Sequence, residues 1–150
     1  MYIKDILKPE NVEVIESVID WRDAVYQGTK NLEAQNYITR QYSEAIIENL
    51  LTYGAYFVLC PGIALLHATS NAGVLKTQLS VVLVKRPFRF KGKDEDIKLL
   101  ITLAAIDSQS HIGAMQQIAM LLNDDKTIDN VLQMTSTNEI YKTFTSVLVE

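Results

Sequence analysis

The chain has 150 residues, 48% hydrophobic and 21% charged, which is the composition of a folded domain rather than a disordered segment. Its formal net charge of -4 argues against a broad nucleic-acid surface, because phosphate backbones demand clustered Lys and Arg. One cysteine excludes an internal disulfide and fits a reducing compartment.

No apolar run reaches membrane length, and the first sixteen residues carry acids early without an unbroken hydrophobic stretch. The expectation is therefore one domain over residues 1–150, without a signal peptide, in the cytoplasm. Residues 12–16, "VEVIE", alternate and predict a short strand. Residues 20–35 place Trp21, Val25 and Leu32 at helical spacing behind Asp20, a candidate N-cap. Gly28 inside that helix costs about 1 kcal/mol relative to Ala. Residues 39–54 predict a stronger helix. Thr39 is its candidate cap, Tyr42, Ala45, Ile46, Asn49 and Leu50 its apolar stripe, and Gly54 its C-terminal glycine.

The β-branched and aromatic run 56–60, "YFVLC", predicts a strand ended by Pro61-Gly62, and a second apolar run leads to His67. Residues 78–85, "QLSVVLVK", predict a central strand buried on both faces. The charged stretch 91–98 reads as a surface turn, and the centre of 97–107, "IKLLITLAAID", as a second buried strand. Three helices follow, over 111–124, 125–134 and 136–150. The first presents Ile112, Met115, Ala119 and Leu122 on one face; Asp125 or Thr127, and Ser136 or Thr137, are the candidate caps of the others. Interleaved strands and helices predict an α/β fold with a central mixed sheet flanked by helices.

The chemistry concentrates on the chain's two histidines. His67 ends a strand-like segment, and His111 falls in the first turn of a predicted helix just after "DSQS". Both lie at element junctions, the edge where α/β proteins bind ligands. If they meet, two imidazoles would share a pocket with Ser108, Ser110 and the N–H groups of a helix N-terminus. Such a pocket suits a phosphoryl group, since helix N-termini favour anions and neutral imidazole is a nucleophile near pH 7. The bland reading stands beside it: histidines at element boundaries are commonly structural or merely exposed. A zinc site from His67, His111 and Asp107 lacks any close ligand pair at helical spacing. Cys60 reads as a small hydrophobe. No phosphate-binding glycine loop and no nucleophile-elbow motif occurs.

Two blocks, "GAYFVLCPGIALLHA…GV" and "LAAIDSQSHIGAMQQIAMLL", resemble the enzyme IIA component of the bacterial sugar phosphotransferase system. The similarity is to its mannitol/fructose-type superfamily and most of all to the ascorbate-type branch. It runs from "DWRDAV" to "NEIYK". The resemblance implies that His67 accepts a phosphoryl group from the phosphocarrier HPr on Nε2 and passes it to a cysteine of enzyme IIB. It implies that His111 helps hold the phosphoryl charge, that no cofactor is needed, and that the membrane is reached only through enzyme IIC. A homo-oligomer is left open. Family members commonly read Pro-His-Ala-Arg-Pro here, whereas this chain has Leu66 before His67 and Thr69 and Ser70 after Ala68. The family arginine is thus missing, and Arg40 and Lys76 are the candidates to replace it. In this role His67 would stand on an apolar rim that docks the carrier. Leu65 and Leu66 are its candidates, with Ile63 better assigned to the core. The rival functions are a regulatory module of the same fold, phosphorylated as a signal, and, more remotely, a metal-dependent hydrolase.

Overall fold

Two long apolar runs build the centre of the molecule. The computed structural model describes residues 2–55 and 57–147. In chain order the elements are helix α1 (Ile3–Ile6), strand β1 (Val12–Ile15), helices α2 (Trp21–Ala34) and α3 (Arg40–Tyr53), strands β2 (Val58–Cys60), β3 (Ile63–Leu66), β4 (Gln78–Phe88) and β5 (Ile97–Ala104), and helices α4 (Ser108–Leu121), α5 (Asp125–Leu132) and α6 (Thr137–Thr145). Among these described residues, no helix is long and apolar enough to cross a membrane. Of the predicted segments, Tyr56 and residues 148–150 lie outside the described residues.

The sheet has five strands in the order β1-β4-β5-β3-β2. β4 and β5 pair antiparallel at its centre; β1 joins β4, and β3 joins β5, in parallel. The short β2 closes the other edge antiparallel to β3. This is the expected mixed sheet flanked by helices.

Period-two alternation divides the strands between two apolar layers. Ile63, Leu65, Leu79, Val81, Leu83, Leu99, Ile101 and Leu103 face a layer completed by α1, α4, α5 and α6. Ala64, Leu66, Val82, Val84, Leu100 and Ala104 face a layer completed by α2 and α3. The continuous apolar runs are thus the signature of strands buried on both faces. Gly28 has a packing reason: a Cβ there would lie 2.9 Å from Thr102 Oγ1 and 3.2 Å from Leu66 Cδ1, so its absence lets α2 lie close on the sheet.

Several local expectations hold and several do not. Asp20 caps α2 by accepting from the Asp23 N–H at 2.8 Å, and Ser136 caps α6 through the Glu139 N–H at 3.1 Å. Gly54 ends α3 with its N–H on the Leu50 carbonyl. The cap of α5 is Asp124, one residue before the predicted Asp125, because its carboxylate reaches the Thr127 N–H at 2.7 Å. Thr39 occupies the N-cap position of α3 without a side-chain capping bond. It serves the loop after His67 instead, donating its N–H to the Gly73 carbonyl at 2.8 Å. Gly73 has φ 110 and would drive a Cβ into Thr39, so glycine is required there. The buried face of α4 is Ala114, Gln117, Ile118 and Leu121, rotated from the predicted stripe, which leaves Ile112 57% exposed. The short helix α1, whose Ile3 and Ile6 pack into the core, was not foreseen; four residues carry too little periodicity to declare a helix.

Candidate functional site

Parallel pairing brings the two histidines together. Leu66 lies in register with Thr102, so β3 and β5 run side by side and end at the same sheet edge. His67 follows β3 directly. β5 leads through Ala105–Asp107 into α4, whose first turn carries His111. The ring centroids are 5.3 Å apart with the planes tilted by 50°. They share an open cavity of about 500 Å³ lined by Asn49, Ala68, Thr69, Ser70, Ala105, Asp107, Ser108 and Ile112 besides the two imidazoles. It sits at the carboxyl edge of the sheet, where α/β folds place ligands.

His67 is half-buried, and the Phe57 ring meets it edge-on at 5.7 Å. Burial, followed by the nearby His111, lowers its imidazolium pKa below the ordinary histidine value. The ring is therefore held toward its neutral form, whose lone pair can attack an electrophile.

The start of α4 is capped rather than open. Asp107 Oδ1 accepts the Ser110 N–H at 2.7 Å. That N–H, followed by the Ser110 hydroxyl, holds the Asp107 carboxyl below the usual range. Ser108 lines the cavity as expected, but Ser110 is occupied with the cap and lines a neighbouring groove with Gln109 and Gln116.

Leu65 and Leu66 do not form a surface rim. They are 3% and 0% exposed, because successive strand residues point into the two opposite apolar layers and both layers are covered. Ile63 is core, as favoured. Ile112, which lines the cavity, is 57% exposed, and Ile106, between the lining residues Ala105 and Asp107, is 46% exposed. Among the described residues no Lys or Arg lines the cavity. Arg40 stacks on the Tyr26 ring at 4.2 Å and lines a separate cavity with Lys30 and Glu33; Lys76 is exposed. Among the described residues, no group of three His, Cys, Asp or Glu is arranged to hold a metal ion. Cys60 is partly buried against the core, which pushes its thiol pKa up.

The residue missed from sequence is Asn49, assigned to the apolar stripe of α3. A polar side chain within that stripe was the available signal: Asn49 is half-buried and turns to the cavity.

Fold and cavity together define an α/β protein with a paired-imidazole site. The family model for the phosphoenolpyruvate-dependent sugar phosphotransferase system, EIIA 2, matches residues 5–147, and the chain belongs to that family. The mannitol-specific cryptic phosphotransferase enzyme IIA component of Escherichia coli K12 is 36% identical over 140 residues, covering 93% of this chain and 95% of the relative. The solution structure of the Escherichia coli mannitol-specific cryptic enzyme IIA matches at TM-score 0.91 and 35% identity, covering 97% of this chain and 99% of that one. The ascorbate-specific PTS system EIIA component of Salmonella typhimurium is 33% identical over 144 residues, with 93% of each chain covered. Escherichia coli enzyme IIA for mannitol, solved in complex with phosphorylated enzyme IIB, shares the fold at TM-score 0.81 and 22% identity, covering 94% of this chain and 99% of that one. The chain is thus an enzyme IIA component, a phosphotransferase carrier of the mannitol and ascorbate type.

Proposed function

We propose that this protein takes a phosphoryl group from phosphorylated HPr onto His67 Nε2 and delivers it to a cysteine thiolate of enzyme IIB in the cytoplasm. The observation that carries the reading is the pair of imidazoles, 5.3 Å apart on one open cavity. In the first transfer the N–P bond of the donor phosphohistidine breaks as the N–P bond to His67 forms. In the second, that bond breaks as an S–P bond forms on enzyme IIB. The protein's work in each is alignment and charge stabilisation.

His67 is the nucleophile and His111 the neighbouring donor to the phosphoryl oxygens. Asn49, Thr69, Ser70 and Ser108 offer neutral donors around the same space. Exposed Ile112, on the same cavity, gives a docking carrier apolar contact near the reacting ring. The enzyme IIB partner is supported by the related complex with phosphorylated enzyme IIB. Ascorbate or a related sugar is the cargo, crossing the membrane through enzyme IIC; the similarity to the ascorbate-specific component supports it.

The test is phosphorylation by HPr and its phosphoenolpyruvate-dependent kinase. Acid-labile label should appear on the wild type and be absent from His67→Ala. Acid-stable label, or label on a serine, would overturn the assignment. A second reading, a regulatory module that keeps its phosphoryl group, is favoured by the lack of Lys or Arg among the described cavity-lining residues. Adding enzyme IIB separates the two: a carrier loses its label to IIB, and a regulator retains it.

A further inference from the structure

We infer that Tyr42 is a positioning residue that fixes His67 relative to His111 through its hydroxyl group. The inference rests on His67 as the phosphoryl acceptor. Tyr42 projects from α3 and is 1% exposed. Its Oη donates to the Leu103 carbonyl at 2.6 Å and accepts the Ala68 N–H at 3.0 Å. The Ala68 carbonyl is also near, at 3.3 Å, but the single hydroxyl proton is directed to the much closer Leu103 oxygen.

These two partners are not arbitrary. Ala68 is the residue after His67, where the chain has left β3 and strand pairing no longer holds it. Leu103 lies near the end of β5, four residues before Asp107, the cap of the helix that bears His111. One oxygen therefore ties together the two segments that carry the imidazoles, from a third element. Tyr42 is itself anchored, because the start of α3 is bound to Gly73 through the Thr39 N–H. A phenylalanine would fill the same space and leave the half-buried Ala68 N–H and the Leu103 carbonyl without this bridge. Small displacements of a reacting group are costly in phosphoryl transfer, where geometry supplies much of the rate.

The test compares Tyr42→Phe with wild type and with Ser43→Ala. Ser43 is a fully buried hydroxyl on the same helix, donating to Thr29 Oγ1 at 2.8 Å, away from the cavity. With phosphorylated HPr as donor, Tyr42→Phe is expected to lower the maximal labelling rate about tenfold, leave KM for HPr unchanged, and shift the imidazole NMR signals and titration of His67. Ser43→Ala should lower Tm without any of these changes. Wild-type rate and unchanged imidazole signals in Tyr42→Phe would overturn the inference, as would an equal rate loss in Ser43→Ala. A wild type that takes no label would instead sink the proposed function. Independently of any variant, amide exchange in the wild-type protein should show Ala68 N–H protected; rapid exchange there overturns the bridge, including the case where Tyr42→Phe does not fold.

Discussion

His67 and His111 reach one cavity from opposite constructions. His67 continues a strand buried on both faces and is held by Phe57 against its ring and by the Tyr42 hydroxyl on the next residue. His111 rides the first turn of an amphipathic helix whose start depends on an exposed Asp107 cap. The first segment is fixed by tertiary packing, the second by local hydrogen bonding. Perturbations of the core should therefore reach His67 first, and perturbations of the helix start should reach His111 first. The stiffer mounting suits the nucleophilic role proposed for His67, because a nucleophile's distance to phosphorus decides the rate. The charge-stabilising role proposed for His111 tolerates more motion.

The largest expected effect is at His67, the proposed nucleophile. His67→Ala should abolish phosphorylation altogether, whereas His111→Ala should leave labelling measurable but slower by about a hundredfold, the typical loss when one stabilising donor is removed. Equal losses in an initial-rate assay would erase the functional distinction between the two. Next comes the core beneath His67. Gly28→Val introduces atoms into the space between α2, Thr102 and Leu66, and should destabilise by about 3 kcal/mol in urea denaturation. An unchanged midpoint would show that this layer yields readily and that the stiff-mounting argument is wrong.

A smaller effect concerns protonation. In the unfolded chain His67 titrates near about 6.5, and in the folded chain burial lowers that value. Between the two values the unfolded state binds more protons, so stability rises with pH. The contribution is complete above the unfolded value and is lost as pH falls through the folded one. Thermal melts should give a lower Tm at pH 5.5 than at pH 7.5, and His67→Gln should narrow that gap. A gap of the same size in both proteins would place the pH dependence elsewhere. The smallest effect belongs to the cap: Asp107→Ala should lower Tm by no more than about a few degrees, while Asp107→Asn, which retains a capping oxygen, should lie closer to wild type.

Several features were legible before any coordinates. The nearly continuous apolar runs at 78–85 and 97–104 announce strands covered on both sides, and Asp20 and the Ser136-Thr137 pair announce helix starts, because these signals act within a few residues. The two blocks around His67 and His111 pointed to the family. Less legible was the direction of individual side chains. Leu65 and Leu66 looked available for docking, yet adjacent strand residues face opposite layers and here both layers are filled. Ile112 looked buried but the face of α4 is rotated, and Asn49 looked like core filler but lines the cavity. The exposed apolar side chain on the cavity is Ile112 instead. The Tyr42 bridge had no local signature at all, since its partners lie 26 and 61 residues away.

By itself the sequence determined the alternation of strands and helices, the two histidines as candidate chemistry-bearing groups, and the family, because composition, periodicity and local motifs are carried by neighbouring residues. The tertiary structure alone decided that the two rings lie 5.3 Å apart on one cavity, which hydroxyls and amides surround them, and which apolar residues remain exposed. Those outcomes depend on the parallel register of β3 and β5 and on the rotation of α4 against the sheet, and residues distant along the chain set both through packing.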